Sequence, residues 1–238
     1  MRFRSADLAL RALEVLRRVD IIACEDTRVT GKLRAAYGIA TPMTPYHDHN
    51  AERARPALIG RLKNGAIVAL VSDAGTPLVS DPGYRLVEAA HAAHIAVHAV
   101  PGASAVLAAL AVAGLPTDRF LYAGFLPPRA AARKRVLAEL GSVAATLIVF
   151  ESARRLPAAL ADMAAVLGSR EAAVCRELTQ LFEEVRRAPL DVLAEHYAKA
   201  GPPKGEVAVV IAPPAAPPAI GEDELDGHLR TALETLSP

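Results

Sequence analysis

Along this chain short apolar runs alternate with stretches of helical spacing, and turn-rich segments separate the two. Strand, loop and helix in repeated order specify a parallel sheet whose strands are joined by right-handed crossovers. Ile67 to Val71 is the clearest buried strand. A long loop from Ser72 to Pro82 follows it, then a helix from Tyr84 to His94, a strand from Ala96 to Val100 and an Ala-rich helix to Ala113. Upstream, Leu8, Ala12, Val15, Leu16 and Val19 fall on one helical face, with Asp7 as the expected N-cap. Ile21 to Ala23 reads as a strand, Thr30 to Tyr37 as a helix, and Ala51 to Leu62 as a helix capped by Asn50.

The character of the chain changes near Gly114 to Asp118, which places an N-terminal α/β domain at 1–117 and a C-terminal one at 118–213. Strands are expected at Phe120 to Ala123, Ala145 to Phe150, Ala172 to Cys175 and Val207 to Ile211, with an antiparallel one at Gln180 to Arg186. Helices run from Ala130 to Leu140, from Leu156 with Pro157 in its first turn, and from Leu190 to Ala200. Residues 214–238 form a Pro/Ala-rich linker and a tail in which Leu225, Leu229, Leu233 and Leu236 share a helical face.

Hydrophobic residues are 52% of the 238 and aromatics only 4%, so the core must be built from Ala, Val, Leu and Ile. That suits helices packed on a buried parallel sheet. Ala105 to Leu115 is the longest apolar run and falls short of the roughly 18 residues that a membrane span needs. Met1 to Asp7 is charged rather than leader-like, so no membrane association and a cytoplasmic location are expected. Cys24 and Cys175 lack metal-like spacing and read as buried free thiols. A formal net charge of +1 excludes nucleic-acid binding through a global positive field; any such contact must be local.

Five segments carry chemistry-bearing residues. Val71 to Gly83 follows a strand directly, where loops of parallel sheets converge on ligands. Gly75 and Gly83 permit close backbone approach, and Pro77 and Pro82 stiffen the bend. Pro101-Gly102-Ala103-Ser104 is a second strand-to-helix turn, in which Ser104 either caps the helix or meets a ligand. Neither matches the dinucleotide or phosphate-loop fingerprints. Cys24-Glu25-Asp26-Thr27-Arg28 sets two carboxylates beside a cation, suited to orienting a hydroxyl or accepting a proton, while Asp26 or Thr27 equally serves as a helix cap. His47 and His49 lack a third ligand, so no metal is expected. Arg129, Arg133, Lys134 and Arg135, with Arg154 and Arg155, form either a phosphate-contacting cluster or a solvated face.

These segments together, with Gly114 to Phe120, Gly124-Phe125-Leu126-Pro127, Glu151-Ser152, Arg176 to Thr179 and Lys204-Gly205-Glu206, resemble the methyltransferase I family acting on small-subunit ribosomal RNA, in the tetrapyrrole-methylase superfamily. The resemblance runs in order from Asp7 to Ile211. It implies a two-domain α/β fold, mostly parallel in the N-terminal sheet and mixed in the C-terminal one. It implies S-adenosylmethionine folded in the cleft, a homodimer, and as acceptor the ribose 2'-hydroxyl of a cytidine in small-subunit rRNA or the assembled subunit. Asp73, Ala74, Gly75, Thr76, Pro77, Pro101, Gly102, Ala103 and Ser104 would hold the cofactor, with Glu151 and Arg176 closing it, and Glu25, Asp26 and Arg28 would stand near the acceptor. Family members open with an apolar strand and a Pro-Ile-Gly-Asn-Leu loop where this chain has Met1 to Ala6, so the first strand of that fold is expected to be missing. Two further readings are a tetrapyrrole or other small-acceptor methylase and, given that start, a non-catalytic ribosome-binding protein.

Overall fold

The computed structural model describes residues 7–215. Helix α1 (Leu10–Arg18) turns Leu16 inward, where it packs with Val19, Ile22, Cys24, Leu33 and Ile39. Asp7 does not cap α1: Ala9 holds the N-cap position without a side-chain bond, and the Asp7 carboxylate accepts from Thr179 Oγ1 at 2.9 Å. The hydroxyl of a distant loop satisfies that acceptor, which frees it from the helix end.

Strand β1 (Ile21–Cys24) is buried at every position and runs parallel to both β2 (Met43–Pro45) and β3 (Val68–Val71), giving the order β2-β1-β3. Helix α2 (Thr27–Tyr37) joins β1 to β2, and α3 (Ala51–Lys63) joins β2 to β3. Ala23 meets Leu58 of α3 and Leu86 of α4 (Tyr84–Ala92) on the opposite face from Ile22 and Cys24, as strand alternation requires. Asn50 occupies the N-cap position of α3 but bonds backwards, its Oδ1 accepting from His47 N and its Nδ2 donating to the Pro45 carbonyl.

The strand expected at Ala96 to Val100 does not form. Those residues belong to no ladder among the described residues, and Val97 is 43% exposed. Extended chain becomes a strand only where a neighbour accepts its hydrogen bonds; among the described residues β3 pairs with β1 alone.

Helix α5 (Ala105–Ala113) follows, and then β4 (Phe120–Phe125), α6 (Ala130–Gly141), β5 (Thr146–Ser152), α7 (Leu156–Leu167), β6 (Glu171–Arg176), β7 (Glu184–Pro189), α8 (Leu190–Ala200) and β8 (Glu206–Ile211). The second sheet has the order β4-β5-β8-β6-β7, with β4 and β5 parallel and the other pairs antiparallel. It is mixed, as expected. Leu147, Val149, Val174 and Val209 face Leu156, Leu160 and Met163 of α7 and Leu193 of α8. Their neighbours Ile148, Ala173, Cys175 and Val210 face Val106, Ala109 and Leu110 of α5. Burial on both faces accounts for the unbroken apolar run at 147–150. Although α5 precedes the composition change at 114–118, its partners belong to the second sheet.

Cys24 and Cys175 are buried free thiols, and burial pushes Cys175 up to about 11. No helix among the described residues is long and apolar enough to cross a membrane. The leucine face at 225–236 lies outside the described residues.

Candidate active site

The loops at the carboxyl ends of β1 and β3 are bound to each other and to the segment ahead of α5. The Asp26 N–H donates to Asp73 Oδ1 at 3.2 Å, and the Thr76 hydroxyl donates to the Ala103 carbonyl at 3.0 Å. Gly75 and Gly102 share the wall of one cavity of about 310 Å³, which extends under α1 to Leu16 and Leu33. Gly75 holds φ at +71°, and a β-carbon at either glycine would meet no atom of the described residues beyond its chain neighbours within 4 Å. Both backbones are therefore bare toward the space, the condition for a flat ligand to lie against them. Ser104 caps α5 by accepting from Leu107 N at 3.4 Å, so its hydroxyl oxygen is engaged at the helix end.

A second cavity of about 650 Å³ continues from the first, with Gly75 and Ser104 on both walls, and reaches the second sheet. Phe125, Phe150, Glu151 and Arg154 line it from that side. Glu151 is 2% exposed; its Oε1 accepts from Ser152 N at 2.7 Å and from Arg155 Nε at 2.8 Å, while Oε2 has no partner among the described residues. A buried carboxylate oxygen without a donor costs free energy unless a ligand supplies one.

Arg176 lines neither cavity. It pairs with Glu184 at 2.9 Å and donates to the Lys204 carbonyl at 3.4 Å, bracing the turn that enters β8. Asp26 is likewise engaged: it caps α2 through Arg28 N at 2.8 Å and chelates the Arg28 guanidinium, which draws its carboxyl down to about 2. The Arg28 side chain itself is exposed. In the arginine cluster, Arg133 is buried, with Nε on Asp162 at 2.8 Å and Nη1 on the Pro127 and Pro128 carbonyls. Arg129, Lys134, Arg135 and Arg154 remain on the surface.

Reasoning from sequence did not single out Asp81. It is half-buried on the wall of the larger cavity, and desolvation, with Glu25, Asp73 and Glu206 adding repulsion, pushes it up to about 6 against the pull of the Ser72 hydroxyl. Its signal lay in Ser80-Asp81-Pro82-Gly83, a second turn inside a loop already marked at Gly75. Asp73 is raised more modestly, by burial and by the Asp26 charge.

A profile of the family described as Tetrapyrrole (Corrin/Porphyrin) Methylases matches residues 4–194, most of the chain. The chain belongs to that family. Within it, the protein is 55% identical over 212 residues to a Mesorhizobium japonicum protein named ribosomal RNA small subunit methyltransferase I, covering 89% of this chain and 72% of the relative. A Pseudomonas aeruginosa protein of the same name is 44% identical over 232 residues, covering 97% and 82%. Solved tetrapyrrole methylases share the architecture. A cobalt precorrin-4 methyltransferase superposes with a TM-score of 0.63 at 16% identity, over 87% of this chain and 90% of its own. The Thermus thermophilus uroporphyrin-III C-methyltransferase, solved with S-adenosyl homocysteine, gives 0.57 at 21% identity over 86% and 91%. Diphthine synthase gives 0.67 at 20% identity over 87% and 85%.

Proposed function

We propose that this protein transfers the methyl group of S-adenosylmethionine to the ribose 2'-hydroxyl of a cytidine in small-subunit ribosomal RNA, in the cytoplasm. The observation that carries it is the pair of bare bends at Gly75 and Gly102 on one cavity, continuous with a second that ends at the unpartnered Glu151 Oε2. The names of the relatives supply the acceptor class.

The residues present fit the donor. Asp73 to Pro77 and Pro101 to Ser104 form its backbone wall, with Thr76 tying the two bends. Glu151 Oε2 offers an acceptor for a hydroxyl or ammonium of the donor, and Arg176 acts by bracing the Lys204 turn beside it. When bound, the donor supplies an electrophilic methyl carbon on a sulfonium. The protein's part is to align the oxygen with that carbon and to exclude water. Glu25, Asp26 and Arg28 stand at the acceptor end, where Asp26 fixes the start of α2 and Arg28 extends into solvent. Arg154, exposed at the cavity rim, is placed to meet the RNA backbone. The protein acts as a homodimer, to which Leu181 and Phe182, exposed beside edge strand β7, contribute apolar surface.

The volume of the larger cavity also suits a small acceptor, so one experiment carries both. Full-length protein is incubated with methyl-labelled S-adenosylmethionine and either undermethylated small subunits or a tetrapyrrole. Label released as 2'-O-methylcytidine is expected; label in the tetrapyrrole alone overturns the RNA assignment. Calorimetry with S-adenosylmethionine separates a catalyst from a ribosome-binding protein: heat is expected, and Glu151→Gln weakens binding roughly tenfold, as for loss of a charge-assisted bond. Absence of heat from the wild type would support the binding role.

A further inference from the structure

The loop joining β3 to α4 is held in backbone shapes that side chains rarely adopt. Leu78 has φ +74°, Ser80 φ +62° and Gly83 φ +141°. Such strain persists only where the surroundings over-determine it, and it gathers at sites of chemistry. Two contacts do so here. The Ser80 and Tyr122 hydroxyls lie 2.6 Å apart, tying the loop to β4 of the other sheet. Gly83 presses so closely on β3 that an added β-carbon would lie 2.6 Å from Leu70 Cδ2. Between these anchors is Asp81, on the wall of the larger cavity together with Phe125, Phe150 and Glu151.

The charged groups acting on Asp81 come from three elements: Glu25 at the end of β1, Asp73 on its own loop and Glu206 at the start of β8. All are anionic. The Tyr122 phenol faces it as well and is itself raised, by burial first. Lys204 and Arg154 line the same cavity further along. The unpartnered Oε2 of Glu151 marks that cavity as built for a ligand. A corner with carboxylates on several sides repels phosphate and accepts donors, which suits an uncharged donor such as a sugar hydroxyl.

We propose that Asp81 is the catalytic base that takes the proton of the acceptor hydroxyl as that oxygen is methylated. The role rests on the methyl-transfer function above. The oxygen–carbon bond forms as the carbon–sulfur bond breaks; the electron pair of the latter stays on sulfur, giving the neutral thioether, and the hydroxyl proton passes to the Asp81 carboxylate, leaving a neutral carboxylic acid. Burial keeps the Asp81 carboxylate basic enough to accept a proton near neutral pH, and Glu25 acts through it by adding its charge.

The test uses the full chain, undermethylated small subunits and methyl-labelled S-adenosylmethionine, with wild type, Asp81→Asn and Asp81→Glu compared. Asp81→Asn lowers kcat by about 10²- to 10⁴-fold, the usual worth of a positioned base, with donor affinity by calorimetry unchanged, and Asp81→Glu restores part of the rate. Wild-type kcat rises with pH through an inflection at about 6 and then levels, and the variant's residual rate lacks that inflection. Independently of activity, the side-chain carboxyl ¹³C resonance that vanishes in Asp81→Asn titrates at about 6 in the wild type. Wild-type turnover by Asp81→Asn, or titration of that resonance in the ordinary range near about 4, overturns the proposal while leaving the methyl-transfer function standing. A wild type that labels no RNA overturns that function and the base with it.

Discussion

The Thr76 hydroxyl donates to the carbonyl of Ala103 at 3.0 Å, joining two cavity-lining loops that lie 27 residues apart in the chain. One bond thus sets the spacing between the bends at Gly75 and Gly102. Thr76→Val keeps the shape and removes the bond, which is worth about 0.5–1.5 kcal/mol. Affinity for S-adenosylmethionine is expected to fall roughly two- to tenfold with little change in Tm. Isothermal calorimetry decides, and unaltered affinity would mean that other contacts set the gap.

Arg133 is 4% exposed and holds Asp162 together with the Pro127 and Pro128 carbonyls. Arg133→Met strands a nearly buried carboxylate that Lys134, half in solvent at 3.3 Å, offsets only in part. Removing one partner of such a pair costs about 3–5 kcal/mol, a Tm drop of roughly 10 °C in a chain this size. Adding Asp162→Leu should recover most of the loss in urea melts. A single variant as stable as wild type would show the pair to be dispensable.

Gly83 tests the strained loop directly. In Gly83→Ala the new methyl overlaps the ends of Leu70 and Leu78, and alanine resists a φ of +141°. A loss of about 1–3 kcal/mol is expected. Urea denaturation measures it, and the slackened loop should also reduce methyl transfer more than donor binding.

Asp81 should make the protein less stable as pH rises. Its carboxyl is raised from 3.8 when unfolded to about 6 when folded, so between those values the native state holds the proton longer. Stability therefore declines as pH climbs through that window and stays lower above it. Asp81→Asn removes the penalty. It should melt higher than wild type at pH 8 and level with it at pH 3, and a lower melting point at pH 8 would contradict the sign. The half-exposed position keeps the gain to about 1 kcal/mol.

Most helices were legible because apolar spacing specifies them, and the two sheet types followed from the order of elements together with the family resemblance. What the chain could not announce were the partners. Ala96 to Val100 has the composition of a strand and no neighbour to pair with among the described residues, whereas Met43 to Pro45, only three residues that follow one proline and end in another, becomes β2 because β1 lies alongside it. The arginine cluster looked uniform, yet Asp162, 29 residues away, draws Arg133 inside and leaves Arg129 and Arg135 in water. At the site, glycine and proline marked the bends, while Asp81 owes its character first to burial and then to carboxylates from three separate elements. Asp26 carried the same chemistry in sequence and spends it on Arg28.

Helix α5 has a consequence for how the cleft can move. Its Val106, Ala109 and Leu110 are seated on the second sheet, but the turn at 101–104 that leads into it forms a wall opposite Gly75. Any swing of one lobe against the other would carry Gly102 along with Glu151 and pull both away from Gly75. The mouth would part along the line bridged by Thr76 and Ala103, upstream of the change in composition at 114–118, and the Thr76 hydroxyl would act as a latch beside the Ser80–Tyr122 and Asp7–Thr179 bonds.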